Sequence, residues 1–256
     1  MNILEEKFPL KRGLGGSKNN PYIEKVKNHP KILTDFEKEI YSHKWKWDSF
    51  FTTKIPPEKG ARGFLRPLVL EIWTGLGNYF SKNVNENLDK NFIWMEIRYK
   101  RCFLTAEKTL WKVKNNDNSV DNTSLDKYNE NFVIIKDYAE KITKILDKNE
   151  ISETLVYFPD PWLKKKWLHK RLLQEEFLNN LFERTKTWWK LIFKTDHLGY
   201  FLHVLQEVEK TSWKILIKTF DYEKEGFYVW NSITEFEQVF RWLNIKICYL
   251  ELIKEN

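Results

Sequence analysis

Residues 154–171 read TLVYFPDPWLKKKWLHKR, and this stretch joins a strand pattern to a rigid turn and a basic run. Thr154 to Phe158 are β-branched, aliphatic or aromatic, as in a strand buried in a parallel sheet. Pro159 and Pro161 then restrict the backbone on both sides of Asp160. Because open α/β sheets bind ligands at the carboxyl ends of their strands, we expect Asp160 at the edge of a binding cleft.

The chain before and after this stretch alternates apolar strand patterns with helical patterns. Such alternation is typical of an α/β fold in which a parallel sheet is doubly wound. Seven strands are predicted, at residues 68–72, 92–96, 132–136, 154–158, 190–195, 214–218 and 245–253.

The composition favours an anionic partner. The 256 residues include 43 Lys and Arg against 36 Asp and Glu, which gives a net charge of +7, and such an excess attracts polyanions. Cys102 and Cys248 lack the spacing of a metal site or a disulfide framework, so no metal is expected. The sequence has neither a signal-peptide pattern nor a run of about 18 apolar residues, so we expect a cytoplasmic protein that does not enter a membrane.

Residues 1–50 are predicted to form a flexible basic arm, because the first part of the chain is polar and rich in Lys and Arg. Within this arm, Ile32 to Ile40 could form a short helix. Residues 51–256 are predicted to form one domain. Residues 115–131, rich in Asn, Asp and Ser, are expected to be a polar surface loop of that domain.

A glycine-containing loop follows the first predicted strand. Residues 73–77 read WTGLG, and a helix pattern begins at Asn78, which is typical of a site for a nucleotide-like cofactor. Glu96, about 20 residues downstream, is placed to bind ribose hydroxyls. A dinucleotide fingerprint has a third glycine where this chain has Phe80, which favours S-adenosylmethionine. A turn that merely connects strand to helix is the alternative.

Phe158 to Trp162 read FPDPW and are followed by lysines and by His169-Lys170-Arg171. This sequence resembles the signature of the bacterial tRNA (guanine-N7)-methyltransferases, the TrmB-like family. The resemblance runs from about residue 20 to the end of the chain, and Thr234 to Glu237 resemble the family's T-x-[FY]-E motif. It implies a Rossmann-like class I methyltransferase fold, with a seven-stranded, mostly parallel sheet and helices on both faces.

The resemblance also implies an activity. A methyl group would pass from S-adenosylmethionine to N7 of a guanine in the variable loop of tRNA, at position 46. Guanine N7 carries a free lone pair, so the site needs to position the reactants more than it needs a strong base. We expect tRNA as the partner and a monomer or a homodimer as the oligomeric state.

The resemblance and the basic run imply roles for individual residues. Asp160 would be the catalytic residue, because a fixed carboxylate stabilises the positive charge that moves to the purine. The cofactor-binding residues would be Glu71, Gly75, Gly77, Glu96, Asp137 and Asp160. The substrate-binding residues would be Lys164, Asp196, Thr234, Glu235, Phe236 and Glu237, and the tRNA phosphates would contact Lys165, Lys166, Lys170 and Arg171.

Two further predictions concern residues near the expected binding cleft. Thr234 to Glu237 are predicted to form a capping box, in which Thr234 accepts a hydrogen bond from the Glu237 amide and the Glu237 side chain returns one. His197, beside Asp196, is expected to be exposed and without a role.

The chain has 9 Gly against 12 Trp, although glycine ordinarily makes up about 7% of a chain. The resemblance places glycine at Trp73, Trp94, Trp188 and Trp189. Trp45 and Trp242 look like further positions of the same kind. We hypothesise that these codons are read as glycine in the source organism, which makes methyl transfer by the chain as written doubtful. The alternatives are a catalytically silent tRNA-binding homologue and a methyltransferase of the same fold that acts on another RNA.

Overall fold

The structure is a computed structural model that describes residues 20–34, 39–44, 46–52, 66–72, 75–116, 131–225 and 233–255. These residues form an α/β fold around one sheet of eight strands. The α/β prediction is confirmed, with one strand more than the seven predicted. The strands are β1 (Ile32–Thr34), β2 (Leu68–Ile72), β3 (Asn91–Met95), β4 (Phe132–Lys136), β5 (Ile151–Tyr157), β6 (Thr185–Thr195), β7 (Lys214–Thr219) and β8 (Cys248–Ile253).

The order of the strands reverses at the centre of the sheet. The order is β1-β4-β3-β2-β5-β6-β8-β7, and all pairs are parallel except those that β8 makes with β6 and β7. The chain builds outward from β2 in one direction and from β5 in the other. In such sheets the ligand binds beyond the carboxyl ends of the two strands at this reversal.

Helices cover both faces of the sheet, as predicted. Leu68, Leu70 and Ile72 point to a core that contains residues of α3, α6, α7 and α8. Val69 points to a second core, against α1, α4 and α5. The helices are α1 (Tyr22–Lys27), α2 (Glu39–Ser42), α3 (Trp47–Thr52), α4 (Asn78–Glu86), α5 (Tyr99–Asn116), α6 (Ile142–Ile145), α7 (Glu175–Arg184), α8 (Leu198–Val208) and α9 (Glu235–Trp242).

Part of the predicted arm belongs to the sheet. Ile32 to Thr34 form β1, which pairs with β4, so the helix predicted for Ile32 to Ile40 is wrong over these residues. Three residues are too few to show a strand period, and the free edge of β4 decides their conformation. Trp47 is buried, and its Nε1 donates to Ile145 O at 2.8 Å. Residues 1–19 lie outside the described ranges.

The predicted surface loop, residues 115–131, is described only at its ends. Helix α5 continues to Asn116, and Asn131 directly precedes β4. Residues 117–130 lie outside the described ranges. Among the described helices, none has the length and apolar character needed to cross a bilayer.

Candidate cofactor and substrate site

The glycine loop between β2 and α4 has a left-handed backbone at two positions. Gly75 has φ +73° and Gly77 has φ +72°, a region that residues with a Cβ rarely adopt. Close contacts also exclude a side chain, since a Cβ on Gly77 would lie 2.2 Å from Thr105 Oγ1, and one on Gly75 would lie 2.7 Å from the Phe236 ring. Trp73 lies outside the described residues.

Side chains of helix α5 donate hydrogen bonds to this loop. Lys108 Nζ donates to Leu76 O at 2.9 Å and to Asn78 Oδ1. Thr105 Oγ1 donates a longer hydrogen bond, of 3.4 Å, to Leu76 O. These contacts tie the loop and the first residue of α4 to the neighbouring helix.

Three buried carboxylates stand at the carboxyl ends of β2, β3 and β4. Glu71, Glu96 and Asp137 are each at most 2% exposed. Burial of Tyr79, together with the nearby Glu71 carboxylate, raises the pKa of the Tyr79 phenol. Adjacent strands bring the three acids to the same edge of the sheet, as the sequence predicts.

Glu96 is fixed by the start of α5. Its Oε1 accepts from the amides of Ile97 and Arg98, both at 2.9 Å. Its Oε2 lies 3.4 Å from Arg101 Nη1. Burial raises the pKa of Glu96, while these donors lower it.

Asp137 is fixed by three donors. Its Oδ1 accepts from the amide of Tyr138 at 2.8 Å and from Lys141 Nζ at 2.7 Å. Its Oδ2 accepts from Tyr41 Oη at 3.2 Å, which links α2 to the same edge of the sheet. A carboxylate has about four acceptor positions, so it can still accept from a ligand.

Asp160 lies on a strained turn after β5. Phe158 has φ +52° and Trp162 has φ +44°, and residues with a side chain adopt such angles at a cost of about 1–3 kcal/mol each, mostly at functional sites. Asp160 is exposed between them and forms no hydrogen bond with the part of the chain that the structure describes. The Phe158 amide donates to Lys194 O at 2.8 Å, which anchors the turn to β6.

Arg171 supports this turn from inside the protein. It is only 6% exposed, its Nε donates to Pro161 O at 2.8 Å, and its guanidinium lies 4.9 Å from the centroid of the Tyr200 ring. Burial lowers the pKa of Arg171. These contacts disfavour the predicted phosphate contact of Arg171. Its donors serve the backbone carbonyls of Pro161 and, at 3.4 Å, of Gly199, because the end of the basic run turns into the protein.

The other cations of the basic run lie on the surface. Lys164, Lys165, Lys166 and Lys170 are exposed in and beside a 3₁₀ helix, Lys165–Lys170. The ammonium groups of Lys164, Lys166 and Lys170 lie 5.0, 5.3 and 5.9 Å from the centroid of the Trp167 ring. Cations and an aromatic ring side by side are typical of a surface that binds nucleic acid.

The capping box is half present. Thr234 Oγ1 accepts from the Glu237 amide at 3.1 Å, as predicted. The Glu237 carboxylate, however, binds Lys194 Nζ at 3.1 Å and Arg241 Nη2 at 2.7 Å, and does not return a bond to the cap. A buried carboxylate gains more from two cations than from one amide, so the predicted return bond is wrong.

The same segment closes on the glycine loop. Glu235 Oε1 accepts from the Asn78 amide at 2.8 Å, although the two residues are 157 positions apart. The Phe236 ring covers Gly75 and packs against Phe158. The structure thus brings the glycine loop, the Asp160 turn and residues 234–237 together. Lys194, which connects the Asp160 turn to α9, was not predicted, and its one sequence signal is a lysine inside an apolar strand.

Asp196 and His197 follow β6, next to the end of β5. Asp196 is half-buried, and burial raises its pKa. His197 is not the exposed residue that we predicted, because its Nδ1 accepts from the Tyr200 amide at 2.9 Å and so caps α8.

Fold and site together define an α/β protein with a glycine loop and three buried acids at the reversal of strand order. Comparison with known proteins identifies the family. Residues 65–250 match the family model described as a putative methyltransferase, and the chain belongs to that family. A solved structure described as the 16S rRNA methyltransferase KamB has the same fold, with a TM-score of 0.51 and 12% identity over 73% of this chain and 88% of that one.

Two relatives illustrate the similarity. The chain is 28% identical, over 73% of its length and 83% of the other, to the tRNA (guanine-N(7)-)-methyltransferase of Bdellovibrio bacteriovorus. It is 30% identical, over 93% of its length, to the bifunctional glycosyltransferase/methyltransferase of Fusobacterium nucleatum subsp. nucleatum, and spans 33% of that longer protein. These matches confirm the predicted resemblance to the tRNA (guanine-N7)-methyltransferases.

Proposed function

We propose that this chain transfers a methyl group from S-adenosylmethionine to N7 of a guanine in tRNA, at position 46 of the variable loop. The observation that carries the proposal is the contact of residues 234–237 with the glycine loop. Glu235 binds the Asn78 amide and Phe236 covers Gly75, so the segment assigned to the substrate adjoins the loop assigned to the cofactor. The relatives named above supply the substrate class.

The residues present fit the cofactor. S-adenosylmethionine supplies a methyl group made electrophilic by a sulfonium centre. Glu71, Glu96 and Asp137 would accept hydrogen bonds from the hydroxyl and amine groups of its nucleoside, and all three are buried at one edge of the sheet. Gly75 and Gly77 would hold the loop beside it in the left-handed backbone conformation that the loop adopts.

Asp160 and Asp196 would act on the guanine. N7 carries its lone pair in the neutral base, so no proton has to leave before attack. A carboxylate fixed beside the purine stabilises the positive charge that develops there, and the rigid turn holds Asp160 without reorganisation. We assign catalysis to Asp160 and base positioning to Asp196. Thr234 and Glu237 would act through the position of α9.

Exposed lysines would hold the tRNA. Lys164, Lys165, Lys166 and Lys170 would contact phosphates, which fixes the register of the RNA without reading its sequence. The proposal places the protein in the cytoplasm with tRNA, as a monomer or homodimer.

The decisive experiment maps the modified nucleotide. Purified protein is incubated with methyl-labelled S-adenosylmethionine and either an unmodified tRNA transcript, ribosomal RNA or free guanosine. Labelled N7-methylguanine is expected in the tRNA only, and cleavage of the RNA chain at that base identifies its position. Label at a different atom or only in ribosomal RNA would refute the proposal, and a tRNA transcript with G46 replaced by adenine is the matched control.

A further inference from the structure

Glu235 occupies the first turn of α4, although it belongs to α9. Its Oε1 accepts from the Asn78 amide at 2.8 Å, and Asn78 is the first residue of the nine-residue helix α4. The first amides of a helix have no partner within the helix, and a carboxylate there is stabilised by the positive end of the helix dipole. The carboxylate is therefore fixed beside the glycine loop.

The second oxygen of this carboxylate has no donor. Glu235 Oε2 is buried and accepts no hydrogen bond in the part of the chain that the structure describes, which is costly for a charged oxygen. Glu237, two residues later, has a cation on each oxygen. Glu235 lacks such a cation among the described residues, so its acceptor capacity suits a cationic group that is not part of the protein.

The backbone that carries Glu235 is held on both sides. Thr234 caps α9, and Phe236 packs against Gly75 and Phe158. Glu237 is anchored to β6 through Lys194. An acceptor that is already in place loses little conformational freedom when it binds a ligand.

We propose that Glu235 is a cofactor-binding residue, whose Oε2 accepts a hydrogen bond from the α-ammonium group of the methionine part of S-adenosylmethionine. This inference rests on the proposed function, which places that molecule at the glycine loop. It changes the role of Glu235 from a substrate contact to a cofactor contact. The Oε1 bond to Asn78 stays in place when the cofactor binds.

The test compares ligands with and without the amino-acid end, by calorimetric titration. S-adenosylhomocysteine carries the ammonium group, whereas 5′-methylthioadenosine has the same nucleoside without it. Glu235→Gln is expected to weaken S-adenosylhomocysteine about tenfold or more, the range of a lost charged hydrogen bond, and to change 5′-methylthioadenosine less than about twofold. Glu209→Gln, an exposed residue after α8, is the matched control and should change neither ligand.

A second measurement compares two ligands that differ only in the α-amino group. The unaltered protein should bind S-adenosylhomocysteine about tenfold more tightly than its analogue that lacks the α-amino group, and Glu235→Gln should abolish this difference. Equal losses for both nucleosides, or no loss for S-adenosylhomocysteine, would overturn the role of Glu235 and leave the proposed function standing. If neither the unaltered protein nor its variant with glycine at positions 73, 94, 188 and 189 binds either ligand, both proposals fail.

Discussion

Lys194 and Glu237 form an ion pair of 3.1 Å in which both side chains are at most 2% exposed. The Lys194 ammonium also lies 4.4 to 6.0 Å from the centroids of three tyrosine rings, those of Tyr157, Tyr222 and Tyr249. Its backbone carbonyl accepts from the Phe158 amide. One residue of β6 therefore holds both α9 and the turn that carries Asp160.

Loss of the Lys194 charge should destabilise the fold. Lys194→Met would leave the buried Glu237 with Arg241 alone, and we expect a loss of about 2–3 kcal/mol in the free energy of unfolding, below the ~3–5 of a wholly unpaired charge. The double variant Lys194→Met/Glu237→Gln should recover part of this loss. Urea unfolding measures both, and Lys82→Met, in an exposed pair with Glu86, should cost less than about 1 kcal/mol. A loss as small as that of Lys82→Met would contradict the prediction.

Asp160→Asn should reduce methyl transfer by about 100-fold or more, the effect of removing one fixed electrostatic group at a transition state. The exposed position of Asp160 on a strained turn predicts little change in unfolding free energy. Initial rates with saturating tRNA and S-adenosylmethionine provide the measurement. Asp89→Asn, an exposed residue after α4, is the control. An unchanged rate would remove Asp160 from the catalytic role.

The basic run should divide into two kinds of cation. Lys164→Ala with Lys170→Ala should weaken tRNA binding and flatten the plot of log affinity against log salt by up to about two units, since each phosphate contact adds about 0.7–0.9. Arg171→Ala should leave this slope unchanged and lower the rate, because Arg171 holds the Pro161 carbonyl. Filter binding over a range of salt separates the two. A slope that falls with Arg171→Ala would restore its predicted phosphate contact.

Sequence patterns predicted elements whose causes are local. The apolar strands and the proline turn around Asp160 are visible in the chain itself. The missed contacts depend on the packed sheet. In the sequence, Arg171 looks like the lysines beside it, and only the folded turn distinguishes it. The capping box rule considers local contacts only, whereas Lys194 contacts Glu237 only after β6 and α9 pack together. The three-residue strand β1 exists because the edge of β4 is open to it.

Asp196 should make stability depend on pH. Burial raises its pKa above the usual 3.8, so the folded state holds the proton more tightly than the unfolded state does. Its contribution to stability is complete below that value and is lost as pH rises through the folded pKa. Asp196→Asn should therefore gain stability relative to the parent between about pH 4 and pH 7, while losing methyl transfer. Urea unfolding across that range measures the difference in free energy of unfolding between Asp196→Asn and the parent. A difference that shrinks as pH rises would contradict the prediction.

The tryptophans at expected glycine positions differ in their surroundings. Trp188 has φ +69° and is 61% exposed, where β6 departs from regular pairing with β5. Such irregularities favour glycine. Trp242 is 75% exposed at the end of α9, without a left-handed backbone. Trp94 is fully buried in β3 and stacks on Phe80, so its indole fits the core and the packing gives no support to glycine at this position. Trp45 and Trp73 lie outside the described residues.

These surroundings predict an order of stability. Trp188→Gly should be neutral or gain up to about 1 kcal/mol in free energy of unfolding. A residue with a side chain pays about 1–2 kcal/mol for a left-handed backbone, which exceeds the entropy cost of glycine. Trp242→Gly should lose about 0.5–1 kcal/mol, and Trp94→Gly more than about 3 because it leaves a cavity. Urea unfolding of the three variants gives the order. A loss at position 188 as large as at position 242 would remove the structural support for glycine there. The recoding hypothesis itself requires that the native protein's mass show glycine at these positions, and that glycine at 73, 94, 188 and 189 improve S-adenosylmethionine binding in calorimetric titration. At position 94 the predicted loss of stability opposes that hypothesis.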